Sequence, residues 1–171
     1  RLPSAAKANG CACANPAIHR VLGLGAVVDC ENLPNGETRL KLEGRTRATV
    51  LQEFGAGEDR RAIVEILKDH YAPERREELL ESQARLAREA RQLGEHLPHF
   101  AKIVDRLLDS ARHPGILADL AAAHFVVDSY DRQCILAEFD VIRRIDLTAI
   151  QLAAINYRLQ SRQPNPELSD S

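Results

Sequence analysis

Long hydrophobic runs are missing from this chain of 171 residues. No segment approaches the roughly 20 consecutive apolar residues that cross a bilayer, so we expect no membrane insertion. The first ten residues, RLPSAAKANG, lack the apolar centre of a secretion signal. These two absences predict a cytoplasmic protein. Methionine is absent too, and we therefore expect that residue 1 is not the natural start.

Cysteine is scarce, and its four positions are Cys11, Cys13, Cys30 and Cys134. Four cysteines without a secretion signal do not predict a disulfide framework in a chain of this length. Cys11 and Cys13 form a C-x-C pair with His19 nearby, but a zinc site needs a second ligand pair at a suitable spacing, which the sequence lacks. Cys30 and Cys134 lie in apolar segments, so we expect both to be small core residues.

Neither sign of charge dominates the chain. The chain contains 23 Lys and Arg and 25 Asp and Glu, so the formal net charge is -2 at pH 7. Aromatic residues make up only 4%. Nucleic-acid surfaces need basic side chains and, for single strands, aromatic rings on which bases stack. We therefore expect no nucleic-acid partner.

Motifs of catalysis and cofactor binding are also absent from the sequence. It contains no G-x-S-x-G nucleophile turn and no G-x-x-x-x-G-K-[ST] phosphate loop. Gly23 and Gly25 form a G-x-G pair, but the third glycine and the helix of a dinucleotide site do not follow. We predict no catalytic residue, no metal and no cofactor.

The first 70 residues show the period of two that is typical of strands. An Asn-Gly turn in LPNG, residues 33–36, predicts a hairpin over residues 21–43. In its second arm Thr38, Leu40 and Leu42 alternate with charged residues, which indicates an antiparallel sheet with one face exposed to solvent. Gly44 predicts a sharp bend before two more strands, over 48–54 and 61–67. We expect about four short strands in a β-rich domain spanning residues 1–70.

From residue 71 the period becomes that of helices. A helical hairpin is predicted over residues 71–112, and its first helix carries an apolar seam of Leu79, Gln83, Leu86, Ala90, Leu93 and Leu97. Pro114 predicts the start of a third helix, and Asp128 and Asp140 predict the N-caps of two more. These helices form a predicted bundle over residues 113–160, followed by a flexible tail at 161–171. The fold class is therefore α+β.

Two arginines of the β-rich domain form a candidate binding feature. Arg45 and Arg47, together with Arg20, are close enough in sequence to make a local anion site. The alternative is that they pair with Glu43 and Glu53 as surface charges.

Two stretches resemble the amino-terminal domain of the ATP-dependent Lon proteases. Residues 23–54, GLGAVVDCENLPNGETRLKLEGRTRATVLQEF, match it in the Gly-x-Gly strand, the L-P-N-G turn and the L-E-G-R-T-R segment. Residues 113–145, HPGILADLAAAHFVVDSYDRQCILAEFDVIRRI, are similar to its helical half. The second match rests on Pro114, Leu117, Ala118, Asp119, Ala122, Gln133, Leu136, Asp140, Val141 and Arg144.

The resemblance implies a PUA-like β-domain followed by a helical bundle, acting in protein quality control. It implies non-catalytic recognition of unfolded or tagged protein substrates, with further protease domains or a second copy of the chain as additional partners. The ATPase and Ser-Lys protease modules of full-length members are missing, as is the strand that usually opens the domain. The chain is then either a fragment of a Lon protease, which is an ATP-dependent serine protease, or a stand-alone protein made of this domain alone.

Binding of this kind needs exposed apolar surface. We place it on the β-domain and its junction with the helical hairpin, with Val21, Leu51 and Phe54 as apolar contacts and Arg45 and Arg47 as charged ones. Core positions are the alternative for the three apolar residues. Two other functions are alternatives: an RNA-binding PUA-like module, which lacks its basic aromatic face here, and an enzyme with a Cys11 or Cys13 nucleophile, which lacks a recognisable base.

Overall fold

The chain divides into two compact units, residues 1–67 and residues 68–171. A computed structural model describes residues 17–55, 60–109 and 113–161. The first unit contains an antiparallel sheet and the second contains helices. The predicted α+β fold class is confirmed. Cys11, Cys13 and the predicted tail beyond Ser161 lie outside the described residues.

Among the described residues of the first unit, three strands form a sheet in the order β1, β2, β3. They are β1 (Val21–Asn32), β2 (Thr38–Phe54) and β3 (Arg61–Leu67), and both pairings are antiparallel. The predicted hairpin is confirmed. The prediction of about four strands is wrong for the described residues, because β2 continues through Gly44 for 17 residues without the expected bend.

The turn between β1 and β2 differs from the one expected for Asn-Gly. Gly36 N–H donates to the Leu33 carbonyl at 3.0 Å, and Leu33 N–H donates to the Glu37 carbonyl at 2.8 Å. Gly36 has a φ of 84°, whereas no described non-glycine residue, Asn35 included, has a positive φ. This is the pattern of a type I turn followed by a glycine bulge, in which Pro34 supplies the fixed φ of the first central position.

Three β-bulges interrupt the register of the sheet. The shifts fall between Leu24 and Gly25, between Val27 and Asp29, and between Val50 and Gln52. The extra residues are Arg45, Val28 and Leu51. Because side chains alternate along a strand, each extra residue exchanges the two faces beyond it. Two of the bulges lie in β2, so its even-numbered positions change faces twice.

The outer part of the hairpin has one apolar and one charged face. Leu40 and Leu42 share a face with Val27, while Arg39 pairs with Glu31 at 3.3 Å on the other. The predicted alternation is therefore confirmed, although the apolar face is exposed. Cys30, directly opposite Leu40, is exposed too. The prediction that Cys30 is a core residue is wrong, because Cys30 lies in the outer part of the hairpin, which extends beyond β3 as a two-stranded ribbon.

Five α-helices form the described part of the second unit. They are α1 (Arg76–His96), α2 (Ala101–Asp109), α3 (Pro114–Phe125), α4 (Ser129–Ala137) and α5 (Val141–Gln160). The predicted helix starts are confirmed. Asp128 caps α4 by accepting from the backbone N–H groups of Tyr130 and Asp131, and Asp140 caps α5 in the same way.

The core of this unit lies between α1, α3 and α5. The seam predicted for α1 is buried at Leu79, Leu86, Ala90 and Leu93, with Ser82 completing the buried face. These residues pack against small and branched side chains of the other two helices, including Ala118, Ala121, Ile145, Ala149 and Leu152. Alanines on α3 allow the close approach of the helices.

Candidate functional site

Apolar side chains are exposed at the outer end of β2 and β3. Leu51 is 58% exposed, Phe54 45% and Ile63 51%. Gln52 lies opposite Ile63 and Phe54 lies opposite Arg61, so Phe54 and Ile63 are diagonal neighbours on one face. Leu51 is the bulged residue beside them. We call these three residues the β2–β3 patch.

A second exposed set lies on the hairpin. Val27 stands directly opposite Leu42, and Leu40 follows two residues away on the same face. All three are more than half exposed. We call Val27, Leu40 and Leu42 the hairpin patch. Sequence reasoning placed Leu40 and Leu42 on one face but not in the binding site, and it missed Val27 and Ile63.

The two candidate arginines do not form one site. Arg45, the bulged residue, pairs with Glu43 at 2.8 Å, and both side chains are more than half exposed. Arg47 is buried, with 8% of its surface exposed. The pair therefore offers no joint exposed anion site, because Arg45 already has a carboxylate partner and Arg47 lies inside the fold. Arg47 is thus misplaced among the expected surface contacts.

Val21 occupies the face of the sheet that also holds Arg47. It lies opposite Thr49, while Gly23 lies opposite Arg47. Val21 is half-buried, so it supports this face more than it extends the exposed surface. Of the five residues predicted for binding, Leu51 and Phe54 carry the largest exposed apolar surface.

A charged pair lies on the other face of the sheet from Phe54 and Ile63, because Glu53 stands opposite Ala62. Arg60 pairs with Glu53, the residue before Phe54. The hydrogen bond from Arg60, together with its positive charge, outweighs desolvation and holds the pKa of Glu53 below its usual value. Glu53 therefore stays ionised at neutral pH.

Neither a metal-ligand cluster nor a membrane-spanning helix is found in the described part of the chain. No group of three or more His, Cys, Asp and Glu residues is placed to hold a metal ion in residues 17–55, 60–109 and 113–161. None of the helices described there is long and apolar enough to cross a membrane.

Comparison with known families decides the classification. The model of the substrate-binding domain of the ATP-dependent protease La (Lon) matches residues 6–154. The chain belongs to the Lon substrate-binding domain family. The resemblance drawn from the two sequence stretches is thus confirmed, and the match includes both the sheet and the helical unit.

A solved structure shows the same fold. The chain is similar to the N-terminal domain of a Lon protease from the Mycobacterium avium complex, with a TM-score of 0.57 and 17% sequence identity. The similarity covers 78% of this chain and 70% of that one. No curated protein sequence matches the chain. Membership of the Lon family assigns the chain a non-catalytic role in substrate recognition within protein degradation.

Proposed function

We propose that the β unit of this Lon domain binds unfolded or tagged protein substrates through the β2–β3 patch. The observation that carries the proposal is the exposure of Leu51, Phe54 and Ile63 together at one end of the sheet. Exposed apolar surface is typical of protein-binding sites. Unfolded or tagged proteins display the apolar segments that such a surface would cover.

The bulge at Leu51 supports this assignment. A bulge re-aims a side chain and raises the local twist of a strand. In an unbulged strand, Leu51 and Phe54 would point to opposite faces, since they are three positions apart. The extra residue lets both contribute to one exposed edge of the sheet. Contacts between apolar side chains discriminate little between substrate sequences, and this property fits a domain that binds many substrates.

The RNA-binding alternative receives no support from the same surface. Arg45 is paired with Glu43 and Arg47 is buried. The aromatic side chain of the patch is Phe54 alone, whereas RNA-binding sheets stack two or three bases on several rings. Substrate proteins are the better match to an apolar surface with balanced charge.

We further propose that this recognition serves degradation by an ATP-dependent serine protease in the cytoplasm. This chain would supply the binding step, and the ATPase and protease modules of the Lon family would supply hydrolysis. The expected observation is that the purified chain binds casein, an unfolded protein, without cleaving it. Cleavage that persists through further purification would contradict the proposal.

The binding experiment uses a double variant of the β2–β3 patch. Leu51→Ser with Phe54→Ser should weaken the binding of fluorescein-labelled casein about tenfold in an anisotropy titration, which corresponds to roughly 1.4 kcal/mol. Both side chains are largely exposed, so we expect the melting temperature to change little.

The matched control lies on the helical unit. Leu80→Ser with Ile116→Ser removes two apolar side chains that are 55% and 48% exposed, and it should leave casein binding unchanged. Equal loss in both variants would indicate nonspecific stickiness. Unchanged binding in the patch variant would overturn the proposed site. Amide shifts in an NMR titration should appear in β2 and β3.

A further inference from the structure

The helical unit contains an apolar pocket that the proposed β-unit site does not use. Its volume is about 340 Å³. Its apolar lining consists mainly of Leu93, Leu97, Phe100, Phe125, Ile155 and Leu159. Phe100 and Phe125 pack edge to face with ring centroids 5.5 Å apart, so two aromatic rings form one side of the pocket.

The ends of three helices surround this pocket. Leu93 lies in the last turn of α1, Ile155 and Leu159 lie near the end of α5, and Phe125 is the last residue of α3. Leu97, Phe100 and Val127 lie in the segments that follow α1 and α3. Helix C-termini carry partial negative charge, which disfavours an anion unless a cation offsets it. Such a cation is present, because Arg158 of α5 lines the pocket.

Arg158, unlike several arginines of this unit, is not held by a neighbouring carboxylate among the described residues. Arg75, Arg85 and Arg144 each pair with a carboxylate. Arg158 is exposed and has no ion pair or hydrogen bond with any residue in the described ranges of the chain. The lining contains no Asp or Glu, and its other titratable side chain is His124. Formal charge in the pocket is therefore positive.

We infer that this pocket binds the C-terminal residue of a protein substrate, with an apolar side chain inside and the terminal carboxylate on Arg158. A volume near the lower end of the roughly 300–1,000 Å³ of ligand pockets accepts one or two large side chains, not a long segment. A chain end combines an apolar side chain and a carboxylate in one residue. A guanidinium binds a carboxylate in a bidentate manner, which adds geometric selectivity.

This inference goes beyond the proposed function, which concerns a separate surface in the other unit. Family membership contributes only the class of ligand, a protein. The two sites are distinguished by their ligands, since the β2–β3 patch needs apolar side chains alone and the pocket needs a free carboxylate as well.

The test compares three labelled peptides of eight residues that differ only at the C-terminal end. One ends in leucine with a free carboxylate, the second is its amide, and the third is an amide with an internal Leu-Asp pair. We expect the free acid to bind about five times more tightly than the amide in anisotropy titrations at low salt. The preference should shrink at high salt, where exposed charges are screened.

Arg158→Gln is the decisive variant. It should remove the preference for the free acid and reverse it slightly, because the helix C-termini then act on the carboxylate without a cation. The control is Arg76→Gln at the opposite end of α1, about 30 Å away along the helix axis. It removes an exposed arginine from the same unit and should leave the preference intact.

Three results would overturn the inference. They are equal binding of acid and amide, a preference that survives Arg158→Gln, and binding of the internal Leu-Asp peptide as tightly as the free acid. The Leu51→Ser with Phe54→Ser variant should keep the acid preference. Loss of casein binding and loss of acid preference are therefore separate outcomes, and each proposal can fail alone.

Discussion

The guanidinium Nη2 of Arg144 donates a hydrogen bond of 2.7 Å to Oδ2 of Asp69, a residue 75 positions earlier in the chain. The arginine side chain is fully buried. Its Nη1 donates to the Glu138 carbonyl at 3.0 Å, and its Nε lies 3.1 Å from a carboxylate oxygen of Asp119. Through these hydrogen bonds and ion pairs, one side chain of α5 connects the first residues of the helical unit to α3.

Removing this arginine should destabilise the helical unit strongly. Arg144→Ala leaves two carboxylates facing each other and an empty volume in the core. We expect a loss of about 3 kcal/mol in the free energy of unfolding. Arg144→Lys should lose less, although one ammonium cannot reach all three acceptors. The measurement is chemical denaturation followed by far-UV circular dichroism, with the exposed Arg143→Ala as a control. A loss below 1 kcal/mol in Arg144→Ala would contradict this role.

Gly115 should be required because it lies against this ion pair. A Cβ at Gly115 would stand closer than 3.0 Å to the Asp69 carboxylate and the Arg144 guanidinium. Gly115→Ala should therefore break the charge-assisted hydrogen bond, which would lower the free energy of unfolding by about 1.5 to 3 kcal/mol. The higher helix propensity of alanine should offset roughly 1 kcal/mol of that loss.

A double-mutant cycle separates this cause from other effects of the methyl group. In the background of Asp69→Ala, where the pair is already absent, Gly115→Ala should cost clearly less than in the native chain. Equal costs in both backgrounds would show that the ion pair is not what excludes a side chain at Gly115. Denaturant midpoints of the four proteins supply the cycle.

Asp140 should contribute stability that disappears in acid. Desolvation raises its pKa, but hydrogen bonds from the backbone of Arg143 and Ile142 and the ion pair with Arg75 together hold the pKa below its usual value. A carboxylate with a depressed pKa in the folded state stabilises the fold above its unfolded pKa of about 3.9, and this contribution is lost as the pH falls through the folded value.

Two substitutions divide this contribution between the cap and the charge. Asp140→Ala should cost about 1 kcal/mol or more at pH 7, because it removes the cap of α5 as well as the ion pair. Asp140→Asn keeps a capping oxygen and should cost less. The difference between wild type and Asp140→Asn should shrink in thermal melts below about pH 4. A difference that stays constant from pH 7 to pH 3 would rule out the charge contribution.

Local signals allowed the helical unit to be predicted well. Pro114, Asp128 and Asp140 mark helix starts because a cap depends on hydrogen bonds within three residues of itself. Burial of Leu79, Leu86, Ala90 and Leu93 follows from the helical period in the same way. The pairing of Arg144 with Asp69 has no such local pattern, since it depends on how distant segments pack.

The sheet was predicted less completely because bulges depend on the partner strand. Counting alternate residues places Leu40, Leu42, Ala48 and Val50 on one face, whereas the bulge at Arg45 separates them into two. The same limit explains why Ile63 was missed as a neighbour of Phe54. The exposure of both patches is a tertiary property, and a period of two indicates only which residues share a face.

The glycines of the β unit provide a final prediction about which backbone positions tolerate a side chain. Gly36 has a φ of 84°. Gly36→Ala should therefore lower the free energy of unfolding by about 1 kcal/mol and the melting temperature by a few degrees. Gly25→Ala should also be destabilising, because its Cβ would come within 3.0 Å of the backbone carbonyl oxygen of Glu43. The sequence predicts a sharp bend at Gly44, but this residue has no positive φ and an added Cβ would meet open space. Gly44→Ala should therefore melt at or slightly above the wild-type temperature, since alanine loses less backbone freedom on folding. Differential scanning calorimetry of the three variants checks the order, and a loss at Gly44 equal to that at Gly36 would show that the bulge beside Arg45 needs a glycine after all.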